Sequence, residues 1–165
     1  MKSLGRAGLL FLFVVVCTLM MVNQSQAEVS SHKINAKGVG VFTPDGSGTG
    51  GTDETRIIGG GLLQGTASGI SLVSGFDFPI LSLVGTQTFT TNKGTLTVTF
   101  SGEFHVVTGE FSLSGPVTDA TGKLEGAEGF ILLEGVEDVT PDPFDPEGFV
   151  EDITGVITVD LSPKR

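Results

Sequence analysis

The sequence predicts an all-β protein that folds as a single antiparallel β-barrel of about eight strands. Three observations support this fold class. Apolar and polar residues alternate with a period of two along several segments, 25 of the 165 residues are glycine, and turn residues separate the alternating segments at short intervals. No stretch after residue 27 carries a sustained apolar stripe with helical spacing.

The alternation is clearest between residues 95 and 107, where threonine, serine, Glu103 and His105 occupy one face of the expected strand. The apolar residues of the opposite face are Leu96, Val98, Phe100, Phe104 and Val106. A strand with one buried and one solvated face has this pattern. Residues 153–161 alternate in the same way, with Ile153, Ile157 and Val159 on one face. We expect these apolar faces to point into the barrel.

Six further strands are expected from alternation and β-branched content, at residues 33–42, 57–63, 66–73, 78–90, 110–117 and 123–133. The tripeptide Asn92-Lys93-Gly94 is typical of a hairpin loop with glycine in the left-handed position. Glycines inside several strands favour a barrel over a sandwich, because bulges and glycine kinks curve a sheet. Two loops are expected, at residues 43–54 and at the acidic, proline-rich segment 134–152.

The first 27 residues have the pattern of a secretory signal peptide. Lys2 and Arg6 precede an uncharged apolar run over residues 7–22, and Ser25-Gln26-Ala27 places small residues before the expected cleavage point. The run is shorter than the roughly 20 residues that span a bilayer. We expect a secreted or periplasmic protein whose mature domain, residues 28–165, has no membrane span.

Composition excludes several classes of function. The only cysteine, Cys17, lies in the expected signal peptide, so disulfides, Cys-zinc sites and cysteine nucleophiles are excluded from the mature domain. A net charge of −10 argues against nucleic acid or an anionic membrane as partner. Tryptophan and tyrosine are absent, which removes the aromatic girdles of an outer-membrane barrel.

Residues 121–129 (TGKLEGAEG) carry the motif Gly-basic-apolar-x-Gly-Ala-x-Gly between Gly122 and Gly129. This motif resembles a glycine motif of the allene oxide cyclase and dirigent barrels. The resemblance implies an eight-stranded antiparallel barrel with an apolar cavity, in which those families cyclise a fatty-acid epoxide or steer phenoxy-radical coupling. No position matches their functional residues, so only the fold is implied. Physically, Gly122 suits a turn, while Gly126 and Gly129 permit a bulge or a close backbone approach.

The candidate binding residues for a small apolar ligand are those expected to face the interior together: Leu96, Val98, Phe100, Phe104, Phe111 and Leu113. Barrels of eight strands are filled by their own side chains or hold one small ligand. We expect a filled barrel because packed interiors are the default, with a cavity beside Gly102 as the alternative. We identify no catalytic residue. A titratable residue on an inward face would indicate an enzyme, and the two clearest strands have none.

Calcium is the one metal for which the sequence offers candidate ligands. Asp138, Asp142, Asp145 and Glu147 lie in the acidic segment, and calcium takes about six to eight oxygen ligands. No spacing motif accompanies them, so we expect a solvated loop and no cofactor. Asp45 begins an EF-hand-like spacing that continues through Asp53, but Arg56 stands where a bidentate glutamate is needed.

Three hypotheses of function therefore remain open. In the first hypothesis, the protein is an exported non-catalytic barrel that binds a small apolar ligand or serves as an interaction module. In the second, it is a cyclase or isomerase with its site in the barrel mouth. In the third, it is a calcium-stabilised surface protein. A cavity with a buried carboxylate or histidine would favour the enzyme, and metal-dependent melting would favour the third hypothesis.

Overall fold

The structure is a computed structural model that describes residues 29–59, 61–138 and 146–161. The expected signal peptide, residues 1–27, and the candidate calcium ligands Asp142 and Asp145 lie outside the described residues. Within the described part, no helix has the length and apolar character needed to cross a membrane.

Eight antiparallel strands form one closed barrel, which confirms the predicted fold class. Each strand pairs with its neighbours in sequence, and β1 pairs with β8 to close the sheet. The strands are β1 (Ser30–Pro44), β2 (Gly50–Ile58), β3 (Gly65–Asp77), β4 (Ile80–Thr91), β5 (Gly94–His105), β6 (Glu110–Ala120), β7 (Glu128–Glu137) and β8 (Glu147–Val159). Closure pairs all eight described strands on both sides.

The period-two alternation determines which residues fill the barrel. On β5, Leu96, Val98 and Phe100 are buried whereas Thr99 is exposed. Ile153, Ile157 and Val159 of β8 are likewise buried. Burying apolar side chains on one face and solvating polar ones on the other fixes the register of these strands, because a slip by one residue would exchange the two faces.

Two short 3-10 helices, Gly61–Leu63 and Gly122–Leu124, close one end of the barrel. They lie in the β2–β3 and β6–β7 connections and bury Leu62, Leu63 and Leu124 in the core. The sequence predicted strands at residues 57–63 and 123–133, so the predictions are wrong for these helical residues. A short apolar run does not distinguish strand from helix, and Gly61 and Gly122, with φ of 55° and 65°, turn the chain out of the sheet.

In the glycine motif Gly122 and Gly129 have the roles expected of them, whereas Gly126 lies in the turn with no atom within 4 Å of its Cβ position and makes neither a bulge nor a close approach. Gly122 and Gly126 adopt positive φ, 65° and 81°, in the connection between β6 and β7. Gly129, at the start of β7, lies so close to β8 that a Cβ there would clash with the carbonyl oxygen of Val156. The motif therefore ends one strand, turns the chain and starts the next.

Both expected loops are shorter than predicted. β1 runs to Pro44 and β2 begins at Gly50, while β7 ends at Glu137 and β8 begins at Glu147. In these strand ends polar side chains face inward as well as outward, so apolar and polar residues no longer alternate and the strands are hard to recognise from sequence. The turn that remains between β1 and β2 is stabilised by Asp45, whose carboxylate accepts hydrogen bonds from Ser47 N (2.8 Å) and Ser47 Oγ (2.7 Å).

Candidate functional site

A cavity of about 310 Å³ lies at the end of the barrel opposite the two 3-10 helices. It is formed by the last residues of β1, β3, β5 and β7 and the first residues of the strands that follow them. Leucine, valine and five phenylalanines form most of its wall, the latter being Phe42, Phe100, Phe104, Phe111 and Phe149. The expectation of a filled barrel is therefore wrong at this end, whereas the opposite end is packed.

The six predicted ligand-binding residues all face the interior, but at different depths. Phe100, Phe104, Phe111 and Leu113 line the cavity. They come together because Phe104 pairs with Phe111 across β5 and β6 and Leu113 pairs with Gly102. The other two, Leu96 and Val98, belong to the packed core instead and do not line the cavity.

Inward-facing glycines make room for the aromatic rings. Gly85 lies opposite Phe100, Gly135 opposite Phe111 and Gly40 opposite Phe149 on the neighbouring strands. A Cβ at any of the three glycines would clash with Cζ of the facing ring. Gly102 was expected to leave such room, but it allows a close backbone approach instead, since a Cβ there would clash with the carbonyl oxygen of Ser112.

Four carboxyl groups also line the cavity: Asp53 on β2, Glu137 on β7, and Glu147 and Glu151 on β8. The sequence analysis named Glu147 only as a candidate calcium ligand and did not expect the four acids to meet, because it assigned Asp53 and the three glutamates to loops. The signal that could have identified them is the alternation of inward-facing and outward-facing residues along each strand. Counting back from the buried Ile153 in steps of two reaches Glu151, Phe149 and Glu147, and Asp53 lies two such steps before Ile57.

Asp53 and Gln87 form a buried hydrogen bond across an intervening strand. Gln87 Nε2 on β4 donates to Asp53 Oδ2 on β2 over 2.8 Å, although β3 runs between them. Gly69 of β3 lies opposite both residues, and a Cβ there would clash with Gln87 Oε1 and Asp53 Oδ1. Burial raises the pKa of Asp53, and the hydrogen bond from Gln87 opposes that rise.

Glu137 and Glu147 form a hydrogen-bonded pair of carboxyl groups. The pKa of Glu137 is raised to about 9, chiefly by burial and further by the hydrogen bond and negative charge of Glu147 and the charge of Asp53. Two carboxyl groups in contact share a proton readily, because two adjacent negative charges in a poorly solvated site repel each other. The pair therefore carries a proton at neutral pH.

Glu151 is the most deeply buried acid of the cavity, with 6% of the residue exposed. Its Oε1 atom has no hydrogen-bond partner among the described residues, and neither has Oγ1 of the adjacent Thr55. Burial, and then the charge of Asp53, raises the pKa of Glu151 to about 8. An unsatisfied buried polar atom costs roughly 1–3 kcal/mol, so this group has hydrogen-bonding capacity that the protein itself does not use.

The predicted calcium ligands are separated where the structure describes them. Glu147 faces the cavity, whereas Asp138 is exposed after the end of β7. Across the described residues, no group of three or more His, Cys, Asp or Glu side chains is arranged to hold a metal ion. Calcium binding by the acidic segment stays a prediction to be tested.

Comparison of the sequence with protein-family models gives no match, and comparison with curated proteins gives none either. The eight-stranded barrel is compatible with the fold that the Gly122–Gly129 motif implies. Function must therefore be argued from the cavity and its side chains.

Proposed function

We propose that this protein is an exported, non-catalytic β-barrel that binds one small, mainly apolar molecule in its cavity. The observation that carries the proposal is a space of about 310 Å³, walled mostly by phenylalanine, leucine and valine, in a barrel that is packed at its other end. Protein interiors are close-packed by default, and unfilled apolar space with a few polar groups is typical of a ligand site.

The volume limits the size of the ligand. Pockets for small molecules are commonly about 300–1,000 Å³, so this cavity suits a molecule of one or two rings, or a short chain. Export rests on the signal-peptide pattern of residues 1–27, and N-terminal sequencing of the exported protein is expected to find Glu28 first.

The test of ligand binding fills the cavity with a large side chain. Val73 on β3 lines the cavity, and its neighbour Leu72 is about half exposed on the outer face. We expect Val73→Trp to weaken binding of 2-phenylethanol, a neutral apolar probe, at least about tenfold, which corresponds to about 1.4 kcal/mol. Leu72→Trp, the matched control on the same strand, is expected to change affinity less than twofold. Ligand-observed NMR titration measures both.

The same titration shows whether the proposal fails. If the wild-type protein binds no 2-phenylethanol, or if Val73→Trp binds it as well as Leu72→Trp does, the cavity is not a binding site for apolar molecules. Native mass spectrometry of protein purified from its own host adds an independent measurement. A copurified small molecule, lost in Val73→Trp and retained in Leu72→Trp, would support the proposal.

The buried carboxyl groups favour an isomerase as the second candidate. A general acid must carry a proton at working pH, and Glu137 does so beside an apolar cavity. In the simplest reaction Glu137 protonates an epoxide oxygen, the C–O bond breaks, a hydride shifts between the two carbons, and the product carbonyl returns the proton. Conversion of styrene oxide to phenylacetaldehyde, abolished by Glu137→Gln, would establish this activity. Absence of conversion leaves the non-catalytic proposal.

A further inference from the structure

We propose that the ligand of this cavity is an organic cation, a protonated amine carried on an apolar body. The inference rests on the proposed function, since it names the chemical class of the molecule that the cavity binds. It is carried by three features of the cavity: its charge, an unpartnered buried oxygen, and its aromatic wall.

The charge of the cavity is one-sided. Asp53, Glu137, Glu147 and Glu151 line it, and none of the described lining residues is lysine, arginine or histidine. Glu137 and Glu147 bond to each other, and Asp53 bonds to the neutral amide of Gln87, so the described lining residues supply no positive charge to this group of acids. A cationic ligand would compensate them, whereas a carboxylate ligand would be repelled.

The unpartnered oxygen of Glu151 is a second, independent indication of a ligand. The residue is 6% exposed, yet Oε1 has no partner among the described residues. Gly38, opposite Glu151 on β1, leaves the space that this carboxyl occupies, since a Cβ there would lie 2.5 Å from Oε1. In the ionised form, which a bound cation favours, this buried and unpartnered oxygen is an acceptor complementary to a ligand N–H donor.

The aromatic wall is compatible with the same ligand class. Five phenylalanines line the cavity, and Phe111 packs edge-to-face on Phe149 with ring centroids 5.9 Å apart. Phenylalanine rings attract ammonium groups through their negative faces and also bury the apolar body of a ligand. Acids at one part of the wall and rings around the rest suit an amphiphilic amine better than a neutral hydrocarbon.

Binding of a cation has a consequence that depends on pH. Without a ligand, Glu137 and Glu151 retain protons at neutral pH, and the other acids that line the cavity are Asp53 on β2 and Glu147 on β8. A bound ammonium group favours the ionised carboxylates, so binding releases protons and tightens as pH rises. This trend continues until the amine itself loses its proton, near pH 10 for an aliphatic amine.

The experiment compares three probes of nearly equal shape: phenethylamine, 2-phenylethanol and 3-phenylpropanoate. Calorimetric titration of the protein, expressed from its full-length gene, measures their affinities at pH 7 and pH 9. We expect phenethylamine to bind at least about tenfold more tightly than the alcohol, the carboxylate to bind weakest, and the preference for the amine to grow at pH 9. Titration in two buffers of different ionisation enthalpy is expected to show proton release.

Two cavity variants and one control test whether the cavity acids cause the preference for phenethylamine. Glu151→Gln and Asp53→Asn are each expected to reduce the preference for phenethylamine over 2-phenylethanol at least about threefold. Glu134→Gln removes an exposed carboxylate from the outer side of β7. It is expected to change neither the preference for the amine nor the affinity for 2-phenylethanol. Melting curves identify any variant that does not fold, and the other cavity variant then decides.

The outcomes separate this inference from the proposed function. Equal affinity for the amine and the alcohol, or tighter binding of the carboxylate, overturns the cation inference and leaves an apolar ligand site. Binding of calcium that excludes phenethylamine also overturns it. Failure of all three probes to bind would contradict the proposed function itself.

Discussion

At the scale of single residues, glycines decide which side chains can meet inside this barrel. Gly69 lies between Asp53 and Gln87, on the strand that separates them, and their hydrogen bond occupies the space that its side chain would take. Gly38 likewise leaves space that Glu151 and Thr55 occupy, and Gly40 leaves space for Phe149. These glycines are needed for the space they leave, since none of the three has a positive φ.

We expect Gly69→Ala to destabilise the fold by about 1–3 kcal/mol, because overpacking forces buried groups to shift and here separates a buried hydrogen bond. Gly75→Ala, on the same strand, is the control. A Cβ there would lie 3.5 Å from Ser82, an ordinary contact, so we expect a change below about 0.5 kcal/mol. Urea denaturation measures both. Equal losses would show that Gly69 is not needed for its space.

At the scale of secondary-structure elements, β8 contributes residues to both parts of the interior, the packed end and the cavity. Its later residues, Ile153, Ile157 and Val159, are part of the packed end, while Glu147, Phe149 and Glu151 line the cavity. The strand keeps one inward face throughout, and only the chemistry of that face changes along it. This turns Glu147 and Glu151 of the acidic segment 134–152 toward the interior instead of toward solvent.

This arrangement bears on the calcium hypothesis. Glu147 and Glu151 face the cavity, so fewer of the acids of residues 134–152 remain for a metal site at the surface. We expect calcium at millimolar concentration to leave the melting temperature unchanged relative to sodium chloride of matched ionic strength. A ligand that binds only the folded state raises stability by mass action. A rise specific to calcium would therefore show that the segment binds the metal.

At the scale of the whole molecule, one end of the barrel is built for stability and the other carries buried acids. The two 3-10 helices and the apolar core close the first end. At the second, Asp53, Glu137 and Glu151 all have raised pKa values, chiefly because burial disfavours their charged forms. Stability and the candidate function are thus located at opposite ends of one sheet.

The buried acids predict how stability varies with pH. An unfolded glutamate loses its proton near pH 4.5, whereas Glu151 and Glu137 retain theirs to about pH 8 and 9 in the fold. Between these values the folded state binds more protons, so its stability falls as pH rises, by at most about 1.4 kcal/mol per pH unit for each group. We expect the melting temperature to decrease steadily from pH 5 to pH 9.

The variants Glu137→Gln and Glu151→Gln are expected to flatten this decrease, because a glutamine has no proton to lose. Glu134→Gln, on the outer face, should retain the wild-type slope and serves as the control. A melting temperature that is constant or rises between pH 5 and pH 9 would show that the cavity acids are not buried in their protonated form.

The prediction of the fold depended on strands with one apolar and one polar face. β5 and the second half of β8 were recognisable because their inward residues are apolar throughout. β2 was largely missed because Asp53 and Thr55 face inward, so its inner and outer faces are both polar. The same property that hides such a strand from sequence analysis makes its inner face a candidate site.

What the sequence by itself determined is the all-β barrel, its strand count and the inward direction of Phe100, Phe104, Phe111 and Leu113, because alternation and glycine turns are local properties of the chain. Only the tertiary structure decided that one end is closed by Leu63 and Leu124 and that the other contains a cavity. It also decided that acids from three strands converge there. That convergence depends on register around a closed sheet and on glycines opposite long side chains, which are relations between residues distant in sequence.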